Sequence, residues 1–210
     1  MPFPHTNVPP HMPVFNARTG AGGDSHPDIE RVLFSREALY ERVNDMAFKI
    51  SGDYAALGAT EITVIAVANG AMVFAADLLR GISLNTRFDT VRASSYYDGT
   101  SPVSVPRIHN AGRLELGGRH VLLVDDILDT GNTLALLRDM LEVHRPATLR
   151  TCVLLDKKAR RVTPYTAEYV GFDVPDVFVV GYGLDFAERY RNLPFIGTLK
   201  PERQDISSWD

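Results

Sequence analysis

Asp125 and Asp126 stand at the end of an apolar run, Val121–Val124, and a third acid, Asp129, precedes Thr130-Gly131-Asn132-Thr133. Leu134, Leu137 and Leu141 then recur at helical spacing. A strand that ends in acids and opens through small hydroxyl residues into a helix can hold a sugar phosphate. The first turn of a helix offers unpaired N–H groups and a partial positive charge to phosphate oxygens. Thr130 and Thr133 add hydroxyl donors, and Gly131 allows close backbone approach. Carboxylates repel phosphate, so the acids must serve sugar hydroxyls, a mobile proton or a metal ion.

These residues need elements to position them. Ser35 can cap a helix from about Arg36 to Ile50, with Leu39, Val43, Met46 and Ile50 on one face. Glu61–Val67 reads as a buried strand broken by Asn69-Gly70, and Met72–Leu79 reads as a helix. Arg87–Ser94 alternates toward a further strand, and His120–Val124, Leu149–Leu155 and Val177–Tyr182 read as strongly apolar strands. This alternation predicts an α/β protein, a parallel sheet with helices on both faces. Ligands then bind beyond the carboxyl ends of the strands. Asn69-Gly70, Asp125-Asp126, Lys157 and the Gly183–Asp185 turn all fall at such ends and should converge. Between Tyr96 and Gly118 the chain is polar and carries Pro and Gly, which suggests a lid whose middle forms a loose hairpin.

Composition narrows the function classes. The chain of 210 residues is 45% hydrophobic and 23% charged, enough for one domain with a sizeable core. A net charge of -4 argues against broad attraction to nucleic acid or to a membrane. No run reaches the roughly 20 apolar residues of a membrane span. The single Cys152 reads as a buried strand cysteine and permits no internal disulfide, which suits a reducing compartment. Residues 1–27 hold six prolines and no apolar segment of the signal-peptide kind, so they read as a flexible arm. His5, His11 and His26 lack metal-ligand spacing.

Taken together, the acidic pair, Asp129 and the TGNT turn resemble the signature of the type I phosphoribosyltransferases. LLDKKARR (Leu154–Arg161), YVGFDVPDVFVVGYGLDF (Tyr169–Phe186) and Arg191 resemble the hypoxanthine-guanine phosphoribosyltransferases among them. So do VANGAMVFAADLL (Val67–Leu79) and the Ser95-Tyr96 pair. The resemblance runs from about Arg31 to Leu199. It implies a central, mainly parallel sheet flanked by helices, a small hood and a flexible lid at about 96–118, all within a domain spanning 28–210.

The resemblance also implies roles. Asp125 and Asp126 would bind the ribose hydroxyls of phosphoribosyl pyrophosphate, and Asp129 through Thr133 its 5-phosphate. Asn69, Gly70, Ser95, Tyr96 and Arg191 would serve the pyrophosphate. Lys157 would contact O6 of a 6-oxopurine, Phe178 would stack on the ring, and the Val179 backbone would read its Watson–Crick edge. Asp185 would hold Mg²⁺ and lie by the base. Asp129 would sit near purine N7 as base or proton carrier. The implied activity is purine salvage, giving IMP or GMP and pyrophosphate, by a cytoplasmic homodimer or homotetramer. Preference for xanthine remains open, as C2 contacts come mainly from backbone carbonyls.

Two departures stand out. Many relatives carry a basic residue at the place of Asn69, and many have Glu at the place of Asp125. By position the loop's non-proline cis peptide would be Ala68–Asn69. A competing reading is a regulator that keeps the fold to sense the donor or nucleotides. It would need a basic face or an added DNA-binding domain, and the acidic composition does not supply one.

Overall fold

The computed structural model describes residues 24–95, 106–109 and 115–204. The N-terminal arm through residue 23, most of the expected lid and Tyr96 lie outside the described residues.

Helix α1 spans Arg36–Ala55 and starts where expected: Ser35 Oγ accepts from Ala38 N at 3.1 Å. It runs beyond the expected end, because Tyr54 continues the buried stripe of Leu39, Val43, Met46 and Ile50. Strand β1 (Ile29–Phe34) precedes it, and β2 (Glu61–Ala68), α2 (Met72–Gly81) and β3 (Asn85–Ser95) follow. Then come β4 (Pro106–His109), β5 (His120–Leu128), α3 (Asn132–Glu142), β6 (Thr148–Asp156), β7 (Tyr169–Asp173) and β8 (Ile196–Leu199).

The main sheet has the order β4-β3-β2-β5-β6-β7. All its pairings are parallel except that of β3 with β4, an antiparallel pair that forms within the expected loose hairpin. Both faces of the central strands are buried, as a parallel sheet requires. Ile62, Val64 and Ala66 of β2 join the core under α1 and α2. Ile65 and Val67, on the other face, pack with Leu134, Leu137 and Leu141 of α3. Cys152 is buried in β6, as read from the sequence. Among the described residues no helix is long and apolar enough to cross a membrane.

One expected strand is not there. Val177–Tyr182 forms only a bridge between Val180 and Gly197. The backbone turns left-handed at Gly181 (φ 100°), Tyr182 (φ 51°) and Gly183 (φ 103°), which no extended strand can accommodate. The apolar run divides instead: Val179 and Tyr182 join the core under α1 and α2, while Val180 enters a smaller core with Ile29, Leu193, Phe195 and Leu199. The antiparallel β1–β8 pair and this core make up the hood. The sixth strand of the main sheet is β7, which the sequence reading passed over.

Candidate active site

The acids of β5 do not end the strand. Hydrogen bonding to β6 continues through the pairs Asp125–Val153, Ile127–Leu155 and Leu128–Asp156. Pairing with β2, by contrast, stops at Val124. Beyond that point β2 stays with β3 as far as Ala68. The strands therefore part on one side of β5, and Asp125 and Asp126 stand at the opening.

A cavity of about 320 Å³ fills this opening. Val67, Ala68 and Gly70 line one side, and Asp125–Gly131 with Thr133 and Leu134 line the rest. The Ala68–Asn69 peptide is cis, as the resemblance implied, and Asn69 is exposed. Gly70 is required by packing: a Cβ there would overlap the Asp126 carboxylate. The same loop abuts the hood, since a Cβ on Gly183 would overlap the Gly70 carbonyl oxygen.

Asp125 is only 7% exposed. Its Oδ1 accepts from Asp126 N at 3.0 Å, and Asp126 Oδ1 accepts from Ile127 N at 2.8 Å. Burial pushes the Asp125 carboxyl well above the usual carboxylate range, and the charge of Asp126 adds to the effect. Burial also raises Asp126, while backbone hydrogen bonds and the Arg191 guanidinium oppose that shift.

The turn after β5 is shaped for an anion. Gly131 adopts a left-handed φ of 87° at the N-terminus of α3, a conformation that favours glycine. A Cβ there would lie 2.5 Å from the Thr163 carbonyl oxygen. Thr130 O accepts from both Val162 N and Thr163 N at 2.9 Å, which fixes the back of the turn. Asp129 has one carboxylate oxygen 3.6 Å from Arg160 Nη1, while the other is buried without a hydrogen-bond partner among the described residues. A buried acceptor beside a cavity is suited to receive a proton from a ligand.

The four bases of LLDKKARR separate into distinct surroundings. Lys157 is 4% exposed, and its Nζ donates to Val177 O at 2.7 Å. Lys158 is exposed and pairs with Asp173. Arg160 pairs with Asp129, and Arg161 bonds to the carboxylate of Asp156. Sequence spacing carries no signal for the partners of the two arginines.

Phe178 is 46% exposed, with its ring edge-on to Phe186 at 5.3 Å. Val179, next to it, is buried. Asp185 Oδ1 lies 2.9 Å from Arg191 Nη2, and Asp185 Oδ2 accepts from Glu188 N at 2.9 Å. Arg191 also donates to Gly183 O at 2.8 Å. The structure thus brings Gly70, Asp126, Gly183, Asp185 and Arg191 into one chain of contacts. Lys157, Phe178, Val179 and Asp185 do not line the cavity of the acidic pair, and meet it only through neighbouring loops. Ser95 ends β3, and Tyr96 lies outside the described residues.

Among the described residues no group of three or more His, Cys, Asp or Glu side chains could cage a metal. Asp185 offers a carboxylate beside Arg191, as does the exposed Glu188. That suits Mg²⁺ bound mainly by substrate phosphates with one or two protein carboxylates.

Comparison with known proteins agrees with this geometry. The phosphoribosyl transferase domain family matches residues 33–187. A hypoxanthine-guanine phosphoribosyltransferase of Streptococcus pneumoniae is 41% identical over 175 residues, covering 83% of this chain and 96% of the relative. The bifunctional protein TilS/HprT of Listeria innocua is 39% identical over 188 residues, 90% of this chain. The chain spans only 28% of the length of that bifunctional relative. The hypoxanthine phosphoribosyltransferase of Trypanosoma cruzi, solved in complex with the product IMP, superposes with a TM-score of 0.79 at 36% identity. That match covers 85% of this chain and 98% of the Trypanosoma chain.

Proposed function

The chain belongs to the hypoxanthine-guanine phosphoribosyltransferases of the phosphoribosyl transferase family, and on that premise we propose that it transfers the 5-phosphoribosyl group of phosphoribosyl pyrophosphate to N9 of hypoxanthine and guanine. The products are IMP or GMP and pyrophosphate. The observation that carries this reading is the opening beside β5, where the buried Asp125 and the half-buried Asp126 adjoin an anion-shaped turn into α3.

In this reading the 5-phosphate rests on the backbone N–H groups of Asp129–Thr133 and the hydroxyls of Thr130 and Thr133. Asp125 and Asp126 accept hydrogen bonds from the ribose hydroxyls. As pyrophosphate leaves, C1 gains positive charge, and the two carboxylates supply negative potential nearby. Asn69, Gly70, Ser95, Tyr96 and Arg191 hold the departing anion. Ser95 and Tyr96 begin the lid that excludes water from the oxocarbenium-like centre.

Lys157 gives up its Val177 carbonyl for the purine O6, exchanging one acceptor for another. A fixed cation pairs with the carbonyl of a 6-oxopurine and finds no acceptor in an adenine amino group. Phe178, already half exposed, stacks on the ring, and the Val179 backbone reads the Watson–Crick edge. Asp129 accepts the N7 proton on the oxygen that has no partner. Asp185 would hold Mg²⁺, which neutralises pyrophosphate charge when bound. A cytoplasmic homodimer or homotetramer completes the reading.

The test is stoichiometric. Purified protein with donor, Mg²⁺ and hypoxanthine or guanine is expected to yield nucleotide and pyrophosphate in equal amounts. No nucleotide from either base, with the donor intact, would leave a donor- or nucleotide-sensing protein of the same fold as the better reading.

A further inference from the structure

Arg161 lies behind the turn that follows β5, on the side away from the cavity. Its guanidinium spends its donors on four acceptors from two loops. Nε donates to Asp129 O at 3.1 Å and Nη2 to Leu128 O at 3.4 Å, both on the donor side. Nη1 donates to Tyr165 O at 2.8 Å, and Nη2 also bonds the carboxylate of Asp156, on the base side. Asp156 immediately precedes Lys157, and Lys157 N donates to the same Leu128 carbonyl at 2.9 Å. The packing leaves little slack: a Cβ on Gly131 would lie 3.1 Å from Arg161 Cδ. The Thr163 hydroxyl bonds the Asn132 side chain of the same turn. Four bonds in a fixed fork make a rigid connection between loops, which an ammonium on a flexible stem cannot reproduce.

We infer that Arg161 is a positioning residue that couples the 5-phosphate turn to the base-recognising Lys157, so that donor bound at one strengthens base binding at the other. The inference rests on the proposed reaction for the identity of the two ligands. The coupling needs no contact between Arg161 and either ligand. Donor phosphate orders the turn from Asp129 to Thr133. Arg161 passes that order to Asp156, and so to the backbone from which Lys157 reaches O6. By linkage the effect is reciprocal: base bound first must strengthen donor binding by the same factor.

Calorimetric titration of the full chain tests this in both orders. The probes are phosphoribosyl pyrophosphate with Mg²⁺ and a guanine analogue carrying carbon in place of N9, which binds without being ribosylated. The wild type is expected to show coupling of at least about 5-fold, within the usual range for linked sites. Arg161→Met is expected to bring that factor close to unity and to weaken the donor alone by about 10-fold. Arg161→Lys, which keeps the charge and loses the fork, is expected to resemble Arg161→Met. Asp156→Asn guards against a folding failure, since it keeps the shape of the side chain and removes its charge. It is expected to lower the coupling with a smaller loss of donor affinity.

Full coupling in a folded Arg161→Met or Asp156→Asn protein would overturn the inference, as would rescue by Arg161→Lys. A wild type that binds both probes and forms no nucleotide from guanine itself would sink the proposed reaction alone. Equal weakening of both ligands with the coupling intact would mark Arg161 as merely structural and would also overturn it.

Discussion

At Asp125 and Asp126 the folded protein is under electrostatic tension. Burial and mutual repulsion raise the Asp125 carboxyl, so the folded form holds its proton more tightly than the unfolded chain does. Stability from this group is therefore fully present below the unfolded carboxylate value, about 3.9. It is lost as pH rises through the higher folded value. Asp125→Asn keeps an oxygen for the Asp126 N–H and removes the charge. It is expected to raise the melting temperature at pH 7 by at least about 2 °C, measured by calorimetry. Donor binding should weaken in the same protein, because a neutral amide supplies no negative potential. A lower melting temperature would show that the charge is well solvated in the folded state. Asp129 differs, with one oxygen near Arg160 and the other buried without a partner among the described residues. As the proposed N7 acceptor, Asp129→Asn should lower kcat by about 100-fold or more while KM for the base barely moves. Unchanged turnover would remove Asp129 from the chemistry.

At the scale of elements, the site depends on loops that approach too closely for side chains. Gly70→Ala would drive a Cβ into the Asp126 carboxylate. Displacement of that carboxylate by an ångström is worth about 100-fold in kcat/KM, with the melting temperature expected to change little. Steady-state kinetics with saturating base check this, and near-normal donor KM would show that the loop can yield. Much of this arrangement was legible in the sequence. The acidic pair, the TGNT turn and the leucine stripe of α3 announce themselves through local spacing, as do α1, β2 and β6 through apolar periodicity. The run Val177–Tyr182 misled because its apolar residues divide between the core under α1 and α2 and the hood core, and Gly181 and Gly183 break the extension. The short β7 and the hood pair β1–β8 carry too little periodicity to stand out. Arg160 and Arg161 find their partners in the turn after β5 and at the end of β6. Long-range pairing of that kind leaves no trace in spacing.

At the scale of the whole molecule, the proposed donor contacts come from the loops after β2 and β5, and the proposed base contacts from Lys157 after β6 and from the segment Phe178–Asp185. The two are joined where Gly183 meets Gly70 and where Lys157 reaches the Val177 carbonyl. The central claim is that one chain unites a phosphoribosyl donor site with a pocket for a 6-oxopurine. The most direct measurement is kcat/KM for hypoxanthine, guanine, xanthine and adenine with phosphoribosyl pyrophosphate and Mg²⁺. Hypoxanthine and guanine are expected to exceed adenine by about 10⁴-fold, since the adenine amino group offers Lys157 no acceptor to replace the Val177 carbonyl. Adenine turned over as well as hypoxanthine would contradict the account.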